Sequence, residues 1–198
     1  VETNCQSPFV TIVSGLPRSG TSMMMRALEA GGLAPLLDNV RKADEDNPKG
    51  YYEFEPVKKT KEDPSWLRLA QGKVVKMVYR LLYDLPEDYE YRVLFMERDM
   101  REILESQRKM LHRHGKEDGG IPDDQMKAMF ESELNRCRQW LDQQSNFSVL
   151  YINYIDMIQN PLLQARRIND FLTGSLNVSA IADSVDPNLY RNRGNSQQ

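Results

Sequence analysis

Short apolar runs alternate along the chain with longer stretches in which apolar residues recur at helical spacing, and this pattern predicts strands alternating with helices. The strand candidates, rich in β-branched or aromatic residues, are residues 9–14, 73–79, 91–97 and 147–153, with a shorter run at 32–37. Helices are predicted over residues 21–30, from 99 through 111, from about 125 to 143, and over 161–172. Because strands joined through helices run parallel, the sequence predicts an α/β fold: a three-layer α/β/α arrangement with a central parallel sheet covered on both faces.

The domain organisation follows from length and from two polar interruptions. The chain has 198 residues without an internal repeat or an interdomain linker. This length suits one ordinary domain with a substantial core, so we expect a single domain over residues 1–198 with flexible ends at 1–8 and 194–198. The polar stretches 38–64 and 112–124 are expected to face the substrate, because parallel α/β sheets bind ligands beyond the carboxyl ends of their strands.

Charge and hydropathy narrow the choice of partners. The formal net charge is −3, whereas nucleic-acid-binding domains usually present a strongly basic surface, so no nucleic-acid partner is expected. No run approaches the roughly 18 apolar residues of a membrane span, and the first residues lack the layout of a signal peptide, so we expect a cytoplasmic protein without a membrane partner. Cys5 and Cys137 have no metal or redox spacing and are predicted to be free thiols.

The first predicted strand leads into the sequence GLPRSGTS, which nearly matches the nucleotide-binding P-loop pattern G-x-x-x-x-G-K-[ST]. Gly15 and Gly20 have the P-loop spacing, and Ser22 stands at the final hydroxyl. Thr21 replaces the lysine, so the nearest cation is Arg18. The backbone N–H groups of such a turn and the N-terminus of the following helix can bind an anion. Without the lysine, the loop favours a group of lower charge than a triphosphate.

Residues 17–22, PRSGTS, closely resemble the 5′-phosphosulfate loop of the sulfotransferases, which use 3′-phosphoadenosine 5′-phosphosulfate as donor. The resemblance implies a P-loop NTPase-like sulfotransferase fold of the bacterial type. A sulfuryl group carries less negative charge than a phosphoryl group, so hydrogen-bond donors and a cation can assist its transfer without a metal. The donor-binding residues that the resemblance implies in this loop are Pro17, Arg18, Ser19, Gly20, Thr21 and Ser22.

A second element of the resemblance lies at the end of the strand predicted over residues 91–97. Sulfotransferases bind the 3′-phosphate of the donor with a strand-ending arginine and a serine eight residues later in the following helix. Arg98 and Ser106 have this spacing, and a guanidinium fork together with a hydroxyl suits a phosphate. Either residue alone would be a weak signal, because a strand-ending arginine is often only a salt-bridge partner.

The last predicted strand and the C-terminal stretch carry weaker elements of the resemblance. Tyr154 begins the segment Tyr-Ile-Asp-Met, which resembles the family's Tyr-Glu-Asp-Leu/Met sequence, whose tyrosine borders the nucleotide. An ordinary half-buried aromatic residue is the alternative. Arg191 and Arg193 lie in a stretch that resembles the end of bacterial-type members, which implies a contact with the 3′-phosphate. The family's complete glycine–lysine motif is missing, so a solvated tail is the alternative there.

Transfer to an acceptor needs a base within hydrogen-bond reach of the acceptor's proton. Cytosolic sulfotransferases place a histidine in a Lys-x-His sequence after the third strand, whereas this chain reads Lys-Met-Val from Lys76. The resemblance leaves Lys76 to assist the departing oxygen. It also implies that Glu53 is the base, like the glutamate after the first helix in other branches of the family, with Glu55 as a second candidate.

Five further residues have a structural explanation as well as a functional one. His112 and His114 stand at a predicted helix end, where their charge would be favourable. A contact with the acceptor is the alternative for either histidine. Tyr51, Tyr52 and Trp66 either line an acceptor site or pack in the core.

These residues predict a sulfotransferase that moves a sulfuryl group from 3′-phosphoadenosine 5′-phosphosulfate to a hydroxyl or amine by in-line displacement, leaving 3′,5′-adenosine bisphosphate. Arg18 and the loop donors would stabilise the transferring group, and no metal is expected. The acceptor is expected to be a small molecule or a glycan, while its identity and the oligomeric state stay open. A Mg²⁺-dependent P-loop kinase and a non-catalytic nucleotide-binding module are the alternatives.

Overall fold

A computed structural model describes residues 9–38, 50–115, 120–172 and 174–187. Within these ranges one sheet contains the strands β1 (Val10–Gly15), β2 (Val74–Lys76), β3 (Tyr91–Glu97) and β4 (Phe147–Asn153). Their spatial order is β2-β1-β3-β4, and every neighbouring pair is parallel. The predicted parallel α/β sheet is therefore confirmed.

Helices connect the strands. Their bounds are α1 (Thr21–Ala30), α2 (Leu67–Ala70), α3 (Met100–Arg113), α4 (Asp123–Leu141), α5 (Tyr154–Gln159), α6 (Pro161–Leu172) and α7 (Val178–Asp183), with short 3₁₀ helices at Glu55–Lys59 and Tyr79–Asp84. The four helices predicted from the sequence, α1, α3, α4 and α6, begin close to the predicted positions. α3 begins after Asp99 because the Asp99 carboxylate accepts hydrogen bonds from the backbone N–H groups of Arg101 and Glu102.

Side chains of the sheet alternate between two apolar cores, one on each face. Ile12 and Phe95 pack in a core with residues of α2, α3 and α4. Val13 and Met96 pack in the other core, with residues of α1, α6 and α7. The consecutive methionines of α1 lie in this second core. The sheet is thus covered by helices on both faces, as the sequence predicts.

The structure differs from the predicted pattern at the sheet edge beside β2. Residues 32–37 form no strand but only an isolated bridge from Pro35 to Val74, closed by hydrogen bonds from the Leu36 N–H to the Val74 carbonyl oxygen and from the Val74 N–H to the Ala34 carbonyl oxygen. The strand predicted over residues 73–79 is shorter and ends at Lys76. The sequence pattern also misses α2, α5 and α7, which are too short to show a clear helical period.

Several predictions of the sequence fall on residues that the structure does not describe. They include parts of both polar stretches, the ends predicted to be flexible, Cys5, Arg191 and Arg193, which all lie outside the described residues. Cys137 is a buried free thiol, as predicted. No helix in the described ranges is both long and apolar enough to cross a membrane.

Candidate active site

Most of the predicted site residues gather at one edge of the sheet. Because the described strands are parallel, their carboxyl ends lie together, and the segments that follow them meet there. β1 leads into a loop of residues 16–20, and β2 ends at Lys76. Arg98 follows β3, and Tyr154 follows β4. The topology thus brings together residues that are far apart in the sequence.

Two glycines shape the loop after β1. Gly15 and Gly20 have positive φ values of 141° and 103°. A Cβ atom on Gly15 would lie 2.7 Å from the carbonyl oxygen of Met96, and one on Gly20 would lie 2.5 Å from Cδ2 of Tyr154. A side chain at either position would therefore collide with β3 or with the Tyr154 ring.

Ser19 carries a buried hydroxyl in the loop. The residue is 1% exposed, and its Oγ has no hydrogen-bond partner among the described residues. Pro17 is exposed, and Thr21, half-buried, is the first residue of α1. A buried hydroxyl without a partner is costly. The Ser19 hydroxyl and the N–H groups at the start of α1 are thus hydrogen-bond donors of the kind that binds an oxygen-bearing group.

Arg18 and Arg98 connect the loop to α3. Arg18 has a left-handed backbone with φ 73°, and its Nε donates a hydrogen bond of 2.9 Å to Oγ of Ser106. Nη1 of Arg98 donates a hydrogen bond of 3.1 Å to the carbonyl oxygen of Arg18. The loop and the residues Arg98 and Ser106, which the sequence indicates separately, thus contact each other directly.

Contacts on two sides hold the Arg98 guanidinium. Its Nε donates a hydrogen bond of 2.8 Å to Oε2 of Glu102, and the two side chains are 9% and 8% exposed. The Tyr154 ring centre lies 4.3 Å from Cζ of Arg98, and burial raises the pKa of the Tyr154 hydroxyl. Glu102 is absent from the site residues predicted above, although its i,i+4 spacing from Arg98, just before α3, is a signal of an ion pair that the sequence carries.

A pocket of about 410 Å³ opens at the carboxyl ends of β3 and β4. Its lining comprises Glu97, Arg98, Asp99, Glu102, Arg138, Asn153, Tyr154 and Ile155. Arg138, on α4, donates a hydrogen bond of 2.6 Å from Nη2 to Oε1 of Glu97. No sequence motif indicates Arg138, because only the packing of α4 on the sheet brings it to the end of β3.

Lys76 reaches the loop from the end of β2. Its ammonium group donates hydrogen bonds to the carbonyl oxygen of Tyr51 and, at 3.4 Å, to Oγ of Ser22. Oε1 of Glu53 lies 4.0 Å from the same Nζ, and the side chains of Lys76 and Glu53 are 14% and 24% exposed. A cation and a carboxylate therefore lie beside a hydroxyl of the first turn of α1.

The segment that carries Glu53 has an unusual backbone. Gly50 and Tyr52 have positive φ values of 93° and 54°. The Tyr52 hydroxyl donates a hydrogen bond of 2.6 Å to Oε2 of Glu29 on α1. Burial, together with this glutamate, raises the pKa of Tyr52 to about 12. The backbone conformation and the bond to α1 fix the direction in which Tyr51 and Glu53 leave this turn.

The other predicted candidates lie in less central positions. Glu55 is exposed, and its carboxylate accepts a hydrogen bond of 2.6 Å from Nζ of Lys58. His112 and His114 are exposed at the end of α3. Trp66 is buried in the core. The packing explanation therefore accounts for Trp66.

The groups that meet at the loop are of a kind that suits an anionic ligand. Two guanidinium groups, an ammonium group, hydroxyls and backbone N–H groups converge at the loop, and such donors bind and polarise anionic groups. In the part of the chain that the structure describes, no group of three or more His, Cys, Asp or Glu side chains is placed to hold a metal ion.

Comparison with known proteins bears on the fold. No protein-family model matches the chain, and no curated protein matches it in sequence. Among solved structures, the sulfotransferase domain from the curacin biosynthetic pathway matches with a TM-score of 0.53 and 17% identity, over 93% of this chain and 87% of that one. A sulfotransferase from Alicyclobacillus acidocaldarius matches with a TM-score of 0.48 and 15% identity, over 86% of this chain and 85% of that one. The likeness to the curacin-pathway domain shows that this chain has a sulfotransferase-type α/β fold.

Proposed function

We propose that the protein is a sulfotransferase that moves a sulfuryl group from 3′-phosphoadenosine 5′-phosphosulfate to a hydroxyl or amine by in-line displacement. The observation that carries the proposal is the direct contact between two phosphate-binding elements: Arg18 bonds to Ser106, and Arg98 bonds to the Arg18 carbonyl oxygen. A nucleotide with anionic groups at both its 5′ and 3′ positions would contact both elements. The sulfotransferase-type fold is consistent with this function.

The residues present fit such a donor. The buried Ser19 hydroxyl has no hydrogen-bond partner among the described residues, and the positive φ of Gly20 exposes the N–H groups at the start of α1. Ser19 and these N–H groups hold the 5′-phosphosulfate, whereas Arg98 and Ser106 bind the 3′-phosphate. Tyr154, stacked on Arg98, packs against the nucleoside. The bound donor supplies the sulfuryl group and a phosphate leaving group.

Residues on the acceptor side move the proton and stabilise charge. Glu53 takes the proton of the acceptor hydroxyl or amine as the acceptor atom forms its bond to sulfur. Arg18 and Lys76 stabilise the electron pair that stays on the 5′-phosphate when the bridging S–O bond breaks. Lys76 suits this role because its Nζ contacts the Ser22 hydroxyl at 3.4 Å. The products are a sulfated small molecule or glycan and 3′,5′-adenosine bisphosphate.

Calorimetry with 3′,5′-adenosine bisphosphate and AMP tests the donor site. We expect the bisphosphate to bind at least about tenfold more tightly than AMP, because Arg98 and Ser106 contact its additional phosphate. Equal affinities would contradict the proposal. Tighter binding of ATP that depends on Mg²⁺ would instead indicate the kinase alternative.

A turnover assay tests the chemistry. Incubation with 3′-phosphoadenosine 5′-phosphosulfate and a pool of alcohols, phenols and amines should release 3′,5′-adenosine bisphosphate and form a sulfated product. Tight binding of the bisphosphate without release in any acceptor pool would indicate the non-catalytic module instead.

A further inference from the structure

The pocket at the ends of β3 and β4 contains two arginines that are bonded in different environments. Arg98 pairs with Glu102, and these side chains are 9% and 8% exposed. Arg138 pairs with Glu97 at 2.6 Å, and these side chains are 35% and 32% exposed. Only the first of the two ion pairs is buried.

This difference in burial determines which arginine can exchange its partner. An ion pair between side chains that contact water stabilises a protein little. Breaking a buried pair leaves a charge without solvent, which is strongly unfavourable. A phosphate in this pocket can therefore displace Glu97 from Arg138, whereas Arg98 stays bonded to Glu102.

The position of Arg138 keeps its guanidinium close to the loop. The adjacent residue Cys137 and the nearby Leu141 are buried and fix this end of α4 against the core. Nη1 of Arg138 also donates a hydrogen bond of 3.0 Å to Oδ1 of Asn135. The same side chain lines a small cavity that Ser19 of the loop also lines. Arg138 thus borders both the loop and the larger pocket.

The charges that line the pocket favour a cation that can turn towards a bound phosphate. The carboxylates of Glu97, Asp99 and Glu102 outnumber the guanidinium groups of Arg98 and Arg138 in its lining. A dianionic phosphate is repelled by the carboxylates unless a cation can turn to it. Arg138 meets this requirement because its present partner is accessible to water.

We infer that Arg138 is a further donor-binding residue, which pairs with Glu97 in the free protein and binds the 3′-phosphate of the nucleotide in the complex. Glu97 then competes with the phosphate and lowers the affinity for the donor. The inference rests on the proposed function, from which it takes its ligand.

Calorimetry with 3′,5′-adenosine bisphosphate and AMP on three variants tests the inference. Arg138→Met keeps the apolar stem and removes the charge, so we expect bisphosphate binding to weaken about tenfold and AMP binding to change less than about twofold. Glu97→Gln releases Arg138 and should tighten bisphosphate binding about threefold. Arg80→Met is the control, because Arg80, like Arg138, forms a partly exposed ion pair with a glutamate, here Glu133 of α4, and does not line the pocket. It should leave both affinities unchanged.

Arg138→Met should weaken bisphosphate binding, whereas Glu97→Gln should tighten it. A general loss of stability would not change the affinity in opposite directions. Weaker bisphosphate binding in Glu97→Gln would overturn the inference, since Glu97 would then support the ligand. An unchanged bisphosphate affinity in Arg138→Met would overturn it as well. Glu97→Gln tests the inference by itself if Arg138→Met does not fold. If the wild-type protein binds the bisphosphate no better than AMP, the proposed function fails instead.

Discussion

The donor side and the acceptor side of the candidate site are built differently. On the donor side, Arg18, Arg98 and Ser106 belong to two short stretches of sequence and are joined by hydrogen bonds of 2.9 and 3.1 Å. On the acceptor side, Lys76 and Glu53 come from separate segments, and the distance between their charged groups is 4.0 Å. The donor side is therefore held by direct hydrogen bonds between its residues, whereas the position of Glu53 on the acceptor side also depends on supports in the backbone before it.

Those supports lie in the turn before Glu53. Gly50 and Tyr52 adopt positive φ values there, and Tyr52 is bonded to Glu29 on α1. A substitution in this turn can change the position of Glu53 without breaking any bond of the donor side. The difference teaches that, under the proposed function, the geometry around Glu53 can vary while the contacts proposed to bind the donor are preserved.

Removing the Arg98 guanidinium on the donor side should have the largest effect on stability and binding. Arg98→Met leaves the buried Glu102 carboxylate without this ion pair, which lowers the free energy of unfolding by about 3 kcal/mol. It should also remove the preference for 3′,5′-adenosine bisphosphate over AMP. Urea denaturation and calorimetry measure the two effects. The double variant Arg98→Met/Glu102→Leu should recover most of the stability and none of the preference, and recovery of both would assign Arg98 a structural role alone.

Removing the Glu53 carboxylate on the acceptor side should lower the rate of sulfuryl transfer and leave nucleotide binding unchanged. Glu53→Gln removes the proposed base, so we expect kcat for sulfuryl transfer to fall about 10²-fold, while the affinity for the bisphosphate stays unchanged. Steady-state kinetics and calorimetry measure the two quantities. Glu55→Gln is the control, because Glu55 is exposed and bonded to Lys58. An equal loss of kcat in both variants would assign the base elsewhere.

One glycine on each side of the site, Gly20 on the donor side and Gly50 on the acceptor side, allows a comparison of how well each side tolerates an added side chain. Gly20→Ala places a Cβ atom 2.5 Å from Cδ2 of Tyr154, whereas Gly50→Ala meets no atom of the described residues within 4 Å. We expect the free energy of unfolding to fall by about 2 kcal/mol for Gly20→Ala and by about 1 kcal/mol for Gly50→Ala, measured by urea denaturation. Equal losses would mean that the Tyr154 ring moves aside at little cost.

The Tyr52 hydroxyl should make the smallest contribution to stability. Tyr52→Phe should cost less than about 1 kcal/mol, because the bond to Glu29 lies near the surface. The pKa of Tyr52 in the folded protein is raised to about 12, above about 10 in the unfolded chain. The contribution is therefore complete below about pH 10 and is lost as the pH rises through about 12. Thermal unfolding of both proteins from neutral pH upward should show the gap between them closing, and a constant gap would contradict this linkage.

The sequence predicts the sheet and the loop because both depend on local signals. The strands are short apolar runs, and the loop needs residues without a Cβ atom at Gly15 and Gly20, where neighbouring atoms lie too close for one. The strand expected at residues 32–37 is the exception, since only an isolated bridge from Pro35 to Val74 forms there. Local patterns therefore predict which elements form the fold.

The pairings of Arg138 and of Tyr52 could not be predicted, because each joins distant elements, whereas the i,i+4 spacing of Glu102 from Arg98 is a local signal. Arg138 lies 41 residues from Glu97 in the sequence and reaches it only because α4 packs beside β3. Tyr52 lies 23 residues from Glu29, and no regular spacing signals their hydrogen bond. Such pairs become visible only when the topology is known.

The bond from Arg98 to the Arg18 carbonyl oxygen has a consequence for protein engineering. A left-handed backbone is unfavourable for an arginine by itself, and here the guanidinium that follows β3 holds it while the Arg18 side chain is anchored on Ser106. The sequence PRSGTS, transplanted alone into another α/β protein, would lose both anchors. A working graft must also carry the end of β3 and the first turns of α3, so the smallest transferable module is a pair of adjacent strand-to-helix turns.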